Sequence, residues 1–443
     1  VIAPSRLLAF EVLRATFEQG AHTERAFREA ADRQALAGRE RAQAQRLAFG
    51  AVQRRGTVDA ALETLADRPL HRVDPPLLAA LRLGAYELLF ADGTPDHAAV
   101  DQAVELSKKA GAAHASGMVN AVLRRAARER EALTASLLSD DSTPEKAAVA
   151  HSAPLWLAQL WWRELGADDA RSLLAACNEP AEVAFRVNTL VADPGAMVAR
   201  LREAGLAARL AASGAPSGAP FGPLGSKRRT GTMPALPEMV VVEGRTGDLV
   251  PELVAAGQLT PQSRGSATAV AVLDPQPGEH VLDLCAGPGI KTGQIAERMG
   301  DRGEVISVES DPQRAAEVAD QARRLGLRSV TVVESDATAG TAPGFDRVLL
   351  DPPCSDLGAL ASRPDARWRK SPATVDRLVD VQARLLERAR VAVRPGGTVV
   401  YSTCTVSRRE NEGQIGDAEY SVQLRPDLDR TTGFFIARLK RDD

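Results

Sequence analysis

The chain has 443 residues, a formal net charge of -3 and four cysteines. Its length exceeds one ordinary domain and points to about two to four, while the near-balanced charge excludes a global basic field and leaves any nucleic-acid contact to local patches. Cys177, Cys285, Cys354 and Cys404 have no metal-ligand spacing, no secretory apolar stretch opens the chain, and no apolar run nears the ~18 residues of a membrane span; the expectations are a reducing cytoplasm, no membrane and no metal.

Residues 1–140 are rich in Ala, Leu, Arg and Glu, with apolar residues at helical spacing, as in Leu7, Leu8, Val12 and Leu13 or Leu77, Leu78, Leu81 and Leu88. This pattern predicts an all-helical domain. Arg124, Arg125, Arg128 and Arg130 crowd one helix end, a candidate RNA-backbone contact or else a solvated face. Residues 141–260 open with a helical pattern around Trp156, Leu157, Leu160 and Trp161, then alternate. A strand at 184–190, a helix at 194–204 and a strand at 240–242 predict a small α+β module. Between them, 213–237 is dense in Gly, Pro and Ser and carries Lys227-Arg228-Arg229, which reads as a mobile loop.

Residues 261–443 change rhythm. Short β-rich runs at Val281, Val305, Val330, Val348 and Val399 alternate with amphipathic stretches, predicting a doubly wound parallel sheet of Rossmann type. After the first run, Cys285-Ala286-Gly287-Pro288-Gly289 leads through Ile290 and Lys291 into a helix, a turn in which glycine lets backbone approach a small polar ligand. Glu309 ends the second strand, where an acid can accept ribose hydroxyls, and Asp336 ends the third, placed for an adenine edge. Arg314 opens the helix after Glu309 and joins the cofactor candidates, as does Asp351. The phosphate-cradling Gly-x-x-x-x-Gly-Lys-Ser/Thr spacing is absent, so an adenosine ligand without phosphates, S-adenosyl-L-methionine, is expected.

Two cysteines then follow apolar strands directly, in Asp351-Pro352-Pro353-Cys354-Ser355 and Ser402-Thr403-Cys404-Thr405. The carboxyl ends of parallel strands are where ligands gather. A buried cysteine is by default a small hydrophobe, which is the reading for Cys177. Two at strand ends beside a glycine loop point instead to thiol chemistry on a pyrimidine ring.

These runs, with Glu410-Asn411-Glu412 and Arg363-Pro364-Asp365 before Trp368, resemble the RNA cytosine-5 methyltransferases, and most closely the bacterial 16S ribosomal RNA enzymes of the Fmu/Sun type. His97–Val104 and Val119–Arg124 resemble helices of the NusB-like RNA-binding domain that such enzymes carry, and Arg186-Val187-Asn188 resembles the start of their middle module. The resemblance implies that Cys404 attacks carbon 6 of cytosine, that Cys354 helps release the product, and that Asp351 contacts the ring near N3, with a raised pKa if it acts as an acid. It implies S-adenosylmethionine as cofactor and small-subunit ribosomal RNA, free or in an assembly intermediate, as partner of a monomeric enzyme. Arg363 and Trp368, with neighbouring Arg367 and Arg369, would hold RNA by charge and stacking. The same chemistry on another RNA such as tRNA, or a non-catalytic RNA-binding assembly factor, are the alternatives.

The chain departs from the family pattern at several positions. Ile290 stands where glycine is usual, which matters if that position needs a positive φ. Ser263 replaces an aspartate, Asp356 replaces a small residue after the Pro-Cys-Ser run, Thr432 replaces an aspartate, and the stretch from Glu412 to Ser421 is short.

Overall fold

The structure, a computed structural model, describes residues 2–66, 69–211, 232–244, 246–340 and 342–441. Lys227-Arg228-Arg229, and most of the loop expected around them, lie outside the described residues. Two compact units are present: Val1–Glu179 with Leu360–Ser371, and Pro180–Ala359 with Pro372–Asp443.

The first unit is helical. Its central helix, Pro75–Phe90, is buried on nearly all sides through Leu77, Ala80, Leu81, Leu83, Ala85 and Leu88, as befits a helix that is apolar all round. Helices Pro4–Glu18, Gly38–Gln53, Asp96–Lys109 and Ser116–Arg128 pack around it. One crossing requires glycine: a Cβ at Gly84 would come within 2.6 Å of Leu123 Cδ1. The helices Leu155–Leu165 and Ala167–Ala176 belong to this unit, with Trp161 and Leu173 fully buried.

Residues 360–371 are held in the same unit by Arg367. Its guanidinium is buried and donates to the carbonyls of Ser152 at 2.9 Å, Cys177 at 3.0 Å and Leu360 at 3.3 Å, and to Asn178 Oδ1 at 3.1 Å. Burial lowers its pKa to about 10. The indole N–H of Trp368 donates to the Val52 carbonyl at 2.7 Å, and the Arg55 guanidinium lies 5.1 Å from its ring centroid. The expectation that Trp368 and Arg367 serve RNA is therefore corrected. Trp368 is partly buried against the helical core with its polar edge spent, and Arg367 is enclosed among carbonyls that need its donors.

The second unit holds two sheets. In the smaller, β1 (Ala184–Val187), β2 (Ala207–Leu210), β3 (Met239–Glu243) and β4 (Leu259–Pro261) run antiparallel in the order β2-β3-β1-β4. Alternation along β1 sends Phe185 and Val187 into one core with helices Pro194–Glu203 and Leu249–Ala255, and Arg186 to the opposite face. There Arg186 forms a fully buried ion pair with Glu297, at 2.8 and 3.1 Å, and donates to Gln262 and to the Ile290 carbonyl.

The larger sheet contains β5 (His280–Asp283), β6 (Glu304–Glu309), β7 (Val330–Glu334), β8 (Phe345–Leu350), β9 (Val393–Thr403), β10 (Tyr420–Leu424) and β11 (Phe434–Lys440). Its order is β10-β11-β9-β8-β5-β6-β7. Strands β5 to β9 are parallel, as the alternation predicts, whereas β10 and β11 close one edge as antiparallel strands that the pattern did not reveal. Strand order reverses at β5, between β6 and β8, and a crevice opens at such a reversal beyond the carboxyl ends.

Because Arg367 satisfies three buried carbonyls and an amide oxygen, Arg367→Ala should destabilise the protein by about 3 kcal/mol, the range of a buried network left unpaired. Chemical denaturation checks this; a change within experimental error would mean that water replaces the guanidinium.

Candidate active site

The loop after β5 turns through two left-handed glycines, Gly287 (φ 57°) and Gly289 (φ 84°), and enters the helix Ile290–Arg298. A side chain at Gly289 would be strained, since its backbone is left-handed and a Cβ would stand 3.0 Å from Val318 Cα. Ile290 is the first helical residue and is not among the positive-φ positions, so its side chain imposes no backbone strain. Glu309, at the end of β6, accepts from Gly287 N–H at 3.0 Å and from Asp311 N–H at 3.0 Å, which ties the second strand end to the loop. Cys285 lies in this loop with its thiol pushed well above the usual range, first by burial and then by the surrounding carboxylates, which disfavours the thiolate. Arg314 is exposed, with its backbone N–H capped by Asp311. Asp336 caps Thr338 through N–H and hydroxyl bonds of 2.8 Å, which lower its pKa.

Asp283 is the group that sequence reasoning did not single out. Its carboxylate is 1 % exposed, one oxygen accepts from Thr292 Oγ at 2.7 Å, and Oδ1 is buried with no partner among the described residues. Burial raises its pKa to about 6, against the Thr292 bond and the charge of Lys291. An orphaned buried carboxylate oxygen beneath a glycine turn fits a ligand that brings a cationic donor. Its position at the end of β5, directly before the glycine loop, was the signal available.

The two thiols meet. Cys354 follows β8 and Cys404 follows β9, adjacent parallel strands, and their sulfurs lie 3.3 Å apart as free thiols. Cys354 is buried, and its thiol is pushed well above the usual range by its hydrogen bond with Cys404 and then by burial. The Cys404 thiol is half-buried and donates to Asp356 Oδ1 at 3.2 Å. Asp351, at the end of β8, accepts from the Lys291 ammonium at 2.5 Å and from Ser402 Oγ at 3.3 Å. In place of the apolar surroundings that would suit a neutral acid, Asp351 has an ion-pair partner. Burial works to lower the Lys291 pKa, but the charge and hydrogen bond of Asp351 outweigh it and the net shift is upward. The ammonium also lies 5.0 Å from the Phe434 ring centroid.

One buried carboxylate fixes both thiol loops. Glu410 accepts from Ser355 N–H at 2.8 Å, from the Ser355 hydroxyl at 2.5 Å, from Thr405 Oγ at 3.3 Å and from Gln382 Nε2 at 3.1 Å. Ser355 and Thr405 are the residues immediately after the two cysteines. Beside it, Asn411 accepts from Thr403 Oγ at 2.6 Å and donates to the Thr405 carbonyl at 3.2 Å. The loops also touch through backbone, since Gly358 N–H donates to the Cys404 carbonyl at 2.9 Å. A Cβ at Gly358 would lie 2.2 Å from the Gly433 oxygen, so the close approach of this loop to the segment before β11 requires glycine. Burial raises the Glu410 pKa, opposed by its hydrogen bonds.

The arginine candidates of the helical unit divide. Arg124 is exposed and bonds Asn120 on its own helix at 2.9 Å. Arg125 is half-buried and divides its donors between Glu129 at 2.9 Å and the Leu65 carbonyl at 3.2 Å. Arg363 is exposed. The Ser263 departure is absorbed locally, because its hydroxyl caps the helix Arg264–Leu273.

A glycine turn under a strand-order reversal, acids at successive strand ends and paired thiols define a Rossmann-type methyltransferase domain, here accompanied by a small ferredoxin-like sheet and an all-helical NusB domain. Residues 270–419 match the 16S rRNA methyltransferase RsmB/F family, 3–128 the NusB family and 153–218 a ferredoxin-like domain of RsmF/B-like methyltransferases. A Synechocystis protein named "Probable ribosomal RNA small subunit methyltransferase B" is 35% identical over 93% of this chain and 88% of its own length. The ribosomal RNA small subunit methyltransferase B of Escherichia coli is 28% identical over 92% of each chain. The crystal structure of PH0851 shares the fold, with a TM-score of 0.80 at 24% identity over 100% of this chain and 99% of that one. The chain belongs to the 16S rRNA methyltransferase RsmB/F family.

Glu410→Ala should leave the Ser355 N–H without its partner and take one of the two acceptors of the Gln382 amide, which keeps the Pro353 carbonyl at 2.9 Å, destabilising the protein by about 2–4 kcal/mol. The thiols should no longer be held together. The fraction of protein cross-linked by a short dithiol-bridging reagent, read by mass spectrometry, should fall with the melting temperature; an unchanged fraction would show that the strand ends alone fix the pair.

Proposed function

We propose that this protein transfers a methyl group from S-adenosylmethionine to carbon 5 of a cytosine in 16S ribosomal RNA, through a covalent bond between Cys404 and carbon 6. The observation that carries this reading is the pair of thiols 3.3 Å apart at the ends of adjacent strands, beside the glycine loop and the Lys291–Asp351 pair. Carbon 5 of cytosine is a poor nucleophile, and addition of a sulfur at carbon 6 makes it enamine-like, dividing one hard step into two easier ones. Cys404 is the attacking thiol and Cys354 assists breakdown of the adduct. Asp351 contacts the ring near N3 with Lys291 balancing the charge. The target base must leave its stack to reach this crevice.

The cofactor, when bound, supplies an electrophilic methyl on a cationic sulfur. Gly287 and Gly289 give its backbone cradle, Glu309 and Asp336 the acids for its ribose and base, and Asp283 the buried oxygen for its amino group. The helical domain supplies RNA contacts, with Arg124 and Arg363 as its exposed candidates. Ile290, which stands where glycine is usual in the loop, imposes no backbone strain that would argue for a non-catalytic protein.

Wild type, Cys404→Ala and Cys354→Ala, incubated with labelled methyl donor and small-subunit ribosomal RNA, should differ sharply. Wild type should produce 5-methylcytosine, Cys404→Ala should lose all turnover, and Cys354→Ala should leave an enzyme–RNA adduct on a denaturing gel. An adduct that survives Cys404→Ala would sink the assignment of the nucleophile. Methylation of transfer RNA alone would move the substrate but keep the chemistry.

A pH dependence follows from Asp283. A cationic ligand prefers its ionised form, and its pKa before binding is about 6. Cofactor affinity should therefore be complete above that value and fall with pH below it, approaching about tenfold per unit. Calorimetry at pH 5 and pH 7.5 reads this directly, and Asp283→Asn should flatten the difference. Equal wild-type affinities at both values would remove Asp283 from the cofactor site.

A further inference from the structure

Cys354 Sγ, Cys404 Sγ and Asp356 Oδ1 converge on one point, all within 4.8 Å of one another. The sulfur–sulfur distance is 3.3 Å and the Cys404 sulfur to Asp356 oxygen distance is 3.2 Å. A tetrahedral divalent ion bound by two thiolates and a carboxylate would separate its ligand atoms by about 3.5–3.8 Å, given metal–sulfur bonds of about 2.3 Å and metal–oxygen bonds of about 2.0 Å. The sulfur–sulfur and Cys404–Asp356 distances lie a few tenths of an ångström below those values, and the third pair lies within 4.8 Å, so small side-chain shifts would fit such an ion.

The third ligand belongs to a residue that its backbone does not favour. Asp356 is one of six non-glycine residues with positive φ among the described residues, at 59°. That conformation is one that aspartate tolerates better than most residues, and here it turns the carboxylate onto the Cys404 thiol. The two cysteine loops are pre-positioned by Glu410, so a metal would find two of its three ligands already fixed. Lys291 stands close enough to interact electrostatically with Cys404 and offsets part of the negative charge that two thiolates and a carboxylate would gather.

We propose that Cys354, Asp356 and Cys404 form a binding site for a thiophilic divalent cation of the zinc class, with water in the fourth position, and that occupancy switches the enzyme off. Binding replaces the two S–H bonds by two metal–sulfur bonds and releases both protons to solvent, so affinity rises with pH. A sulfur whose lone pair is held by the metal cannot add to carbon 6 of a pyrimidine. The inhibitory part rests on the assignment of Cys404 as nucleophile; the binding part does not.

Two measurements separate them. Cobalt(II) alone, added to the full chain without RNA or cofactor, should give thiolate-to-cobalt charge-transfer absorption in wild type, and zinc(II) should displace it. The absorption should vanish in Cys404→Ala and in Cys354→Ala. Asp356→Gly, which suits the left-handed backbone and so should fold, should weaken zinc by about tenfold or more, as measured by competition with a chromophoric chelator. No charge-transfer band in wild type, or the same zinc affinity in Asp356→Gly, would overturn the three-ligand site. In the methylation assay, stoichiometric zinc should abolish wild-type turnover and a chelator should restore it, while Asp356→Gly should need about tenfold more metal. Metal binding with undiminished methylation would overturn the switch, whereas metal binding by a wild type that methylates no RNA would leave the site standing and count against the methyltransferase reading.

Discussion

Glu410 is the carboxylate on which the geometry of the thiol site depends. Adjacent parallel strands run about 4.8 Å apart, so β8 and β9 bring their carboxyl ends near one another but do not determine how the following loops fold. Glu410 resolves that freedom by accepting bonds from the residue after each cysteine at once. A buried carboxylate is tolerated only when its lone pairs are filled, and the residues that fill them are the ones that must be held. The same requirement that makes Glu410 affordable in the interior therefore makes the two sulfurs neighbours. Tyr401, on β9 shortly before Cys404, completes the arrangement by donating its hydroxyl to the Glu410 carbonyl at 2.6 Å.

A second buried charge plays a comparable part beside the glycine loop. Arg186 leaves the small sheet, reaches Glu297 and touches the Ile290 carbonyl at the start of the helix that follows the glycine loop. Burial pushes the Glu297 carboxyl up while Arg186 pulls it down, so removing either partner would strand the other in the interior. Asn188, two residues along, donates to the carbonyls of Gly257 at 3.0 Å and Leu325 at 3.2 Å, extending the connection to the next helix of the large sheet. The ferredoxin-like module is thus joined to the helix after the glycine loop by directional bonds as well as by apolar packing.

Much of this was legible because the relevant signals are local. Strands β5 to β9 show apolar runs bounded by turns, the glycine loop stands between a strand and a helix, and each cysteine closes a strand. Strands β10 and β11 escaped because they follow short, polar-flanked segments whose burial is decided by the neighbour they pair with. Arg367 and Trp368 misled for a related reason. A basic, aromatic cluster has the composition of an RNA contact, and only the carbonyls of Ser152, Cys177 and Val52, distant in sequence, reveal that these side chains pack inward. Glu410 lies 55 residues from Ser355 and 28 from Gln382, so its partners are invisible to any window of sequence.

The charges around the crevice are arranged so that one ammonium answers several anions. Lys291 is enclosed, yet the charge and hydrogen bond of Asp351 keep its pKa raised, and Cys404 and Asp283 add to the same effect. A cation held this way needs no solvent reorganisation when negative charge develops nearby, which is where preorganised groups act most strongly. The Cys354 thiol, by contrast, is pushed up by its bond to Cys404 and by burial. Two thiols of one chemical kind thus occupy unlike settings, one enclosed and the other half-exposed beside Asp356, and the proposed division of roles between adjacent sulfurs rests on that inequality.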